Sequence, residues 1–380
     1  MRRLRALVLP LLVALPLVAR ADSKACKAGA LIFGNPTYTG SDKPNPKGQT
    51  VKQDPPLEWR GLVLAKGKVF TVSGGSQEVW GGDVSGVVRR LAGTQQPSAN
   101  KFTDGPCADA RFLDIRGIAA AKDGTLVVAD RRANAIRILS DPEGAGCKVT
   151  TVVGPAAAYD TTAAKVPGPG DVDGEAKDAK IGGPEWAVTD AAGNIYFVDE
   201  LAGKVKKIAT DEPRTVTTLA SLKLDKVLGF TSMALVDKKL YVTGNTLANG
   251  IIWEVDPEAQ KAKIVKNSDY KGFPGIRNTS PSLTSITSDG SSLIVSGQGY
   301  IWRVTRDGKT ITPVAGRGYA LDYPPNYNPA GVYPVNDLAL RFRTDDAASN
   351  GTSTFMAWSE NALYFRGRHT GAYVLKIGCP

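Results

Sequence analysis

Short apolar runs separated by turn residues recur along the whole chain, with almost no helical periodicity between them. The clearest copy starts at Arg116, turns at Asp123-Gly124, runs through Leu126 to Asp130, resumes at Asn134 to Leu139 and closes with Val149 to Gly154. Runs of this length, rich in β-branched residues and bounded by turn signals, predict strands. Asp-Gly between two such runs predicts a hairpin, because both residues tolerate positive φ. Further copies run through Trp186–Ala220, Met233–Val265, Leu283–Gly316 and Phe355–Ile377, with a degraded one over Gly61–Gly93.

Six copies of a unit with three to four strands predict an all-β, six-bladed β-propeller over 59–380. One such sheet cannot bury both of its faces, and stacking the sheets radially buries them. The last copy shows only three strands before Pro380. The N-terminal arm, 22–58, is therefore expected to supply the missing strand and close the last blade.

The motif residues support a more specific comparison. Leu91-Ala-Gly93, Asp104-Gly105, Ala110-Arg-Phe112, Arg116-Gly-Ile118, Asp123-Gly124, Val128-Ala-Asp130, Asn134 and Ile136-Arg-Ile138 together resemble an NHL repeat of the bacterial secreted type. The resemblance implies an NHL or strictosidine-synthase-like propeller, commonly six-bladed. It also implies that Asp130 and Asn134 stabilise blade turns.

The start of the chain changes the charge picture. Arg2, Arg3 and Arg5 precede the apolar run Ala6–Val18, and Ala19-Arg20-Ala21 offers small residues for cleavage. Residues 1–21 thus read as a cleavable signal peptide, too short and too broken by Pro10 and Pro16 to span a bilayer. A secreted or periplasmic protein without a transmembrane segment is expected. The formal net charge of +10 includes four arginines of that leader. The remaining surface is mildly basic with no dense Lys/Arg stripe, which argues against nucleic acid.

In an oxidising compartment an even number of cysteines favours disulfides, and the four present allow three pairings. Cys107 and Cys147 flank one repeat, whereas Cys26 and Cys379 lie near opposite ends. The favoured pairs are Cys107–Cys147 and Cys26–Cys379, the second acting as a clasp.

Candidate sites fall in the insertions and at the channel. Asp171, Asp173 and Glu175 alternate oxygen ligands around a Gly, a pattern suited to calcium or to a solvated acidic turn. Tyr319, Tyr323, Tyr327 and Tyr333 suit contact with a protein or glycan outside the cytoplasm, or packing over a blade. Arg116, Glu185, Thr231, Thr284 and Thr354 begin the inner strands and are candidates for the channel mouth, with Glu185 facing Arg116 as a buried pair.

The single histidine, His369, cannot supply the zinc ligands of the amidating-lyase type of NHL propeller, and no Gly-x-Ser-x-Gly elbow accompanies it. Three functions remain. The first is a non-catalytic exported binding scaffold using the loop-rich face and no cofactor. The second is a calcium-dependent, lactonase-like hydrolase or lyase at the central channel, with Glu185 joined by Asn245 or Asp337. The third is a structural component of the cell envelope or matrix.

Overall fold

Successive side chains of a strand point to opposite faces, and here both faces are apolar. In Leu126–Asp130, Leu126 and Val128 pack against the preceding blade, while Val127 and Ala129 pack against the next. Ile195–Asp199 repeats the device: Phe197 points one way, Tyr196 and Val198 the other. Burying a side chain of this size contributes roughly 1.5–3 kcal/mol, so each sheet is stable only between neighbours.

The structure is a computed structural model. It describes residues 27–31, 59–73, 77–83, 89–94, 101–155, 159–160, 168–222, 227–274, 282–298, 300–316, 332–334, 355–359, 362–366 and 374–378. The leader, Cys26, Tyr319, Tyr323, Tyr327, Asp337, Thr354, His369 and Cys379 lie outside the described residues. Among those described, no helix is long and apolar enough to cross a membrane.

Five antiparallel sheets are each cut from one continuous stretch of chain and form five blades of an all-β propeller. Blade one comprises Trp59–Ala65, Lys68–Ser73, Gln77–Asp83 and Arg89–Thr94. Blade two comprises Ile115–Ala120, Leu126–Asp130, Ala135–Ser140 and Lys148–Val153. Blade three comprises Pro184–Thr189, Ile195–Asp199, Lys204–Ile208 and Thr215–Ser221. Blade four comprises Gly229–Val236, Lys239–Asn245, Gly250–Asp256 and Lys261–Ser268. Blade five comprises Leu283–Ser288, Leu293–Gly297, Tyr300–Val304 and Ile311–Gly316.

A further sheet joins the two ends of the chain in the order Val332–Pro334, Lys27–Leu31, Val374–Gly378, Ala362–Arg366, Phe355–Ser359. Tyr333 pairs with Ala28 in this sheet. Lys27 pairs with Gly378, one residue from Cys26 and Cys379 respectively.

Blades two and three each gain a short fifth strand from the insertion before them, Gly105–Pro106 and Gly174–Glu175. The Cys107–Cys147 disulfide ties the first insertion to the outer edge of blade two, with the Cα atoms 5.4 Å apart. Neighbouring blades are also joined by side-chain amides. Gln77 Nε2 donates to Leu113 O at 3.1 Å, Asn134 Oδ1 accepts from Gly183 N at 3.0 Å, and Asn245 Oδ1 accepts from Leu283 N at 2.8 Å.

One turn differs in detail from the hairpin expectation. At Asp123-Gly124 only Gly124 takes positive φ (97°). Asp123 instead uses its carboxylate to accept from the backbone N of Thr125 at 2.9 Å.

Candidate functional site at the channel mouth

All five blades interrupt the pairing of their innermost strand near its start. The register slips at Gly61, Arg116, Trp186 with Ala187, Thr231 and Thr284. A bulge frees one residue from the ladder and re-aims its side chain. Beyond the bulges the inner strands line a channel of about 340 Å³, where Leu64, Ile118, Trp186, Met233, Ile286 and Trp358 stand beside Thr189, Ser232, Ser285, Thr287 and Ser288. The walls come close together here, since a Cβ on Gly117 would lie 2.8 Å from Trp186 N.

The rim above this bore is charged on blades two and three. Arg131 Nε lies 3.0 Å from Glu185 Oε1 and donates to Glu200 Oε2 at 2.8 Å. Arg116 Nε donates to Asp114 at 2.9 Å. Among the described residues, no hydrogen bond engages the two terminal nitrogens of Arg116. Glu185 is 7% exposed. Burial first, and then the charge of Glu200, push its pKa up to about 7, against the pull of Arg131 and Arg116. Behind it the carboxyl of Asp199 is raised to about 6, again mainly by burial. A carboxyl group poised near neutrality at the rim of a channel can both take and give a proton.

Of the sequence candidates for the mouth, Arg116 and Glu185 share this cluster. The ion pair of Glu185, however, is with Arg131 rather than with Arg116. Thr231 and Thr284 sit on the bulges, yet their hydroxyls turn into their own blades. Thr231 Oγ1 donates to Thr243 Oγ1 at 3.0 Å, and Thr284 Oγ1 donates to Ser296 O at 3.2 Å. Asn245 serves the blade joint instead of the mouth. Sequence reasoning missed Arg131, Glu200 and Asp114. The signal was present in the charged residue that follows the repeat's aspartate, in Asp130-Arg131 and Asp199-Glu200.

The proposed calcium turn is a lysine clasp. Lys206 is fully buried and its Nζ lies 2.8 Å from both Asp171 Oδ1 and Asp173 Oδ1. Lys204 also pairs with Asp171, and Glu175 pairs with Lys177 at 3.0 Å. Asp173 accepts from Thr218 N at 2.6 Å and from Thr218 Oγ1 at 3.0 Å. The two lysines hold the Asp171 carboxyl below its ordinary range. For Asp173, burial opposes ionisation, but Lys206 and Thr218 outweigh it. Ammonium groups therefore occupy the oxygens that calcium would need, and these residues do not fit the ion. Among the described residues the carboxylates at the mouth face guanidinium groups, while Asp337 lies outside them. Among the described residues, no three His, Cys, Asp or Glu side chains gather as a metal site.

The same clasp recurs in blade two. Asp104 accepts from Arg137 Nη2 at 2.7 Å, from Thr151 N at 2.7 Å and from Thr151 Oγ1 at 3.0 Å. Arg137, fully buried, lies between the rings of Phe102 and Phe112 at 4.3 and 4.4 Å.

No family model and no curated protein matches the chain. Solved structures match in fold. A streptogramin B lyase is 13% identical, covers 94% of this chain and 99% of its own, and superposes with a TM-score of 0.51. A gluconolactonase from Xanthomonas campestris is 12% identical, covers 86% of this chain and 87% of its own, and has a TM-score of 0.51. A catalytically inactive virginiamycin B lyase from Staphylococcus aureus, solved with quinupristin, is 12% identical over 93% of this chain and 99% of its own, with a TM-score of 0.50. At such identities the likeness establishes the propeller fold, and fold alone does not choose a function.

Proposed function

We propose that the protein is a hydrolase or lyase acting on an ester or lactone carbonyl at the channel mouth, with Glu185 transferring the proton. The supporting observation is the buried carboxyl held at about 7 beside the channel-lining strands, next to the guanidinium groups of Arg131 and Arg116. In hydrolysis, ionised Glu185 removes a proton from water while the water oxygen adds to the carbonyl carbon. The terminal N–H groups of Arg116 hold the resulting oxyanion. The carbon–oxygen bond to the leaving group then breaks, and the departing alkoxide takes the proton back from Glu185. In the elimination variant the same carboxylate removes a C–H proton beside the carbonyl and the carbon–oxygen bond breaks as a double bond forms. Arg131 is a positioning residue, binding Glu185 on one side and Glu200 on the other.

Lyases and a gluconolactonase among proteins of the same fold accord with this reading, but no residue is carried over from them. The scaffold reading leaned on tyrosines of which Tyr319, Tyr323 and Tyr327 lie outside the described residues. We also propose that the sheet joining the chain ends closes the ring as a sixth blade, supported by Met356 and Trp358 lining the channel beside the other inner strands. Export through the leader 1–21, with action outside the cytoplasm, belongs to the same proposal.

The test is turnover of a panel of lactones and aryl esters by the mature full chain. Activity should rise with pH through about 7, and Glu185→Gln should lower kcat by roughly 10²–10⁴-fold. Absence of turnover across the panel, or turnover undiminished in Glu185→Gln, would overturn the reading.

A further inference from the structure

Beside the charged rim, between blades three and four, lies a separate groove of about 240 Å³. Its apolar lining is Leu201, Leu222, Val227, Leu228 and Phe230, and Glu200 forms its edge. Leu201 is 60% and Leu228 64% exposed, and Leu247, 74% exposed, stands further along. Leu228 N donates to Asn245 O at 2.7 Å, which links its segment to the turn bearing Leu247. Scattered exposed leucines need no explanation, but Leu201 and Leu228 line one cleft together, as the wall of a binding surface does.

The groove and the rim share a wall. Glu200 opens the turn that ends at Gly203, where Gly203 N donates to Glu200 O at 3.1 Å. The Glu200 side chain faces Arg131, while the next residue, Leu201, faces the groove. On the inner side, the indole of Trp186, which follows Glu185, donates to Phe230 O at 3.2 Å. The guanidinium of Arg131 thus stands between the Glu185 carboxyl and the residue, Glu200, that edges the groove.

Resting on the catalytic reading above, we infer that the substrate carries a branched aliphatic or aromatic substituent on its acyl side, and that this group fills the groove. Glu200 joins the two places: it forms the edge of the groove and accepts from Arg131, which also pairs with Glu185. A benzene-sized ligand occupies a cavity of about 150 Å³, so the groove takes a ring or an isobutyl group with the methylene that joins it. An anionic substituent would lose its hydration against the leucines and face the Glu200 carboxylate.

The experiment uses acetate, 3-methylbutanoate and phenylacetate as probes of binding to the mature full chain, followed by ligand-observed NMR. The two apolar acids should bind at least about tenfold more tightly than acetate, as burial of a side-chain-sized apolar group requires. Leu201→Asp with Leu228→Asp should abolish that preference while the melting temperature holds, since both side chains are exposed. Arg116→Gln should weaken all three acids alike. Equal binding of the three acids by the wild type, or a preference retained in the double variant, would overturn the groove assignment.

Turnover of the matching p-nitrophenyl esters separates this inference from the catalytic reading. A preference in binding with no turnover sensitive to Glu185→Gln keeps the groove and removes the proton-transfer role. Glu185-dependent turnover with equal kcat/KM for acetyl and phenylacetyl esters does the reverse.

Discussion

Besides their added fifth strand, blades two and three differ from blades one, four and five at one position of the third strand. There the ladder to the fourth strand slips, and the residue at the slip is Trp80, Arg137, Lys206, Trp253 or Trp302. Trp253 packs on Phe230 at 5.6 Å and Trp302 on Phe273 at 5.2 Å between ring centroids. A large indole fills the space between blades without a counter-charge, although Trp302 still donates to Pro274 O of the preceding connection at 2.9 Å. In blades two and three a cation replaces it, and the preceding insertion supplies both the filling and the counter-charge: Asp104 with Phe102 and Phe112, or Asp171 and Asp173 with Ile181. The same geometric need is met once by a side chain and once by an alliance of side chain and loop.

The strongest way to break this comparison is Arg137→Ala. Removing one partner of a buried charged pair strands the other, and the loss should be about 3–5 kcal/mol in a denaturant titration. A loss below about 1 kcal/mol, which is ordinary for an exposed pair, would show that Arg137 does not clamp the insertion.

The second test uses pH, because blade three carries groups of opposite sign. The Glu185 carboxyl has a folded pKa of about 7, above its ordinary value of 4.5. The folded state therefore binds the proton more tightly, and this contribution is full below 4.5 and lost as pH rises to about 7. Its full size is about 3 kcal/mol, and Glu185→Gln should flatten that limb of the stability profile. The clasp behaves oppositely. Asp171 and Asp173 are held below 3.8, so their contribution is present above that pH and lost as pH falls further. A Glu185→Gln profile with an unchanged slope from 4.5 to 7 would remove the buried-carboxyl assignment.

The smallest expected effect is that of calcium. Added calcium should leave the melting temperature unchanged, since Lys204 and Lys206 already occupy the acidic turn. A rise that disappears in Asp173→Ala would replace the lysine clasp with a metal site.

These contrasts also show what the residues reveal before folding. Alternating apolar runs and turns such as Asp123-Gly124 carry the repeat, because strand pairing within a blade is local in sequence. Arg116 and Glu185 were legible as inner-strand starts for the same reason. Arg131 and Glu200 were not, because 69 positions separate two residues that meet only when blades two and three stack. Thr231 and Thr284 read as mouth residues, but the neighbouring strand offers Thr243 and Ser296 as nearer partners. A ligand pattern such as Asp171-Val-Asp-Gly-Glu175 does not disclose that Lys206, on another strand, will reach it first.

The pairing of Lys27–Leu31 with Val374–Gly378 sets a clock on biosynthesis. A strand made early has to wait for a partner made hundreds of residues later before this sheet can assemble. Contacts so distant in sequence form slowly, and until then the N-terminal strand is an unpaired edge available to other chains. A circular permutant that fuses the two ends and reopens the chain at Gly124 would convert this last, longest-range step into a local hairpin.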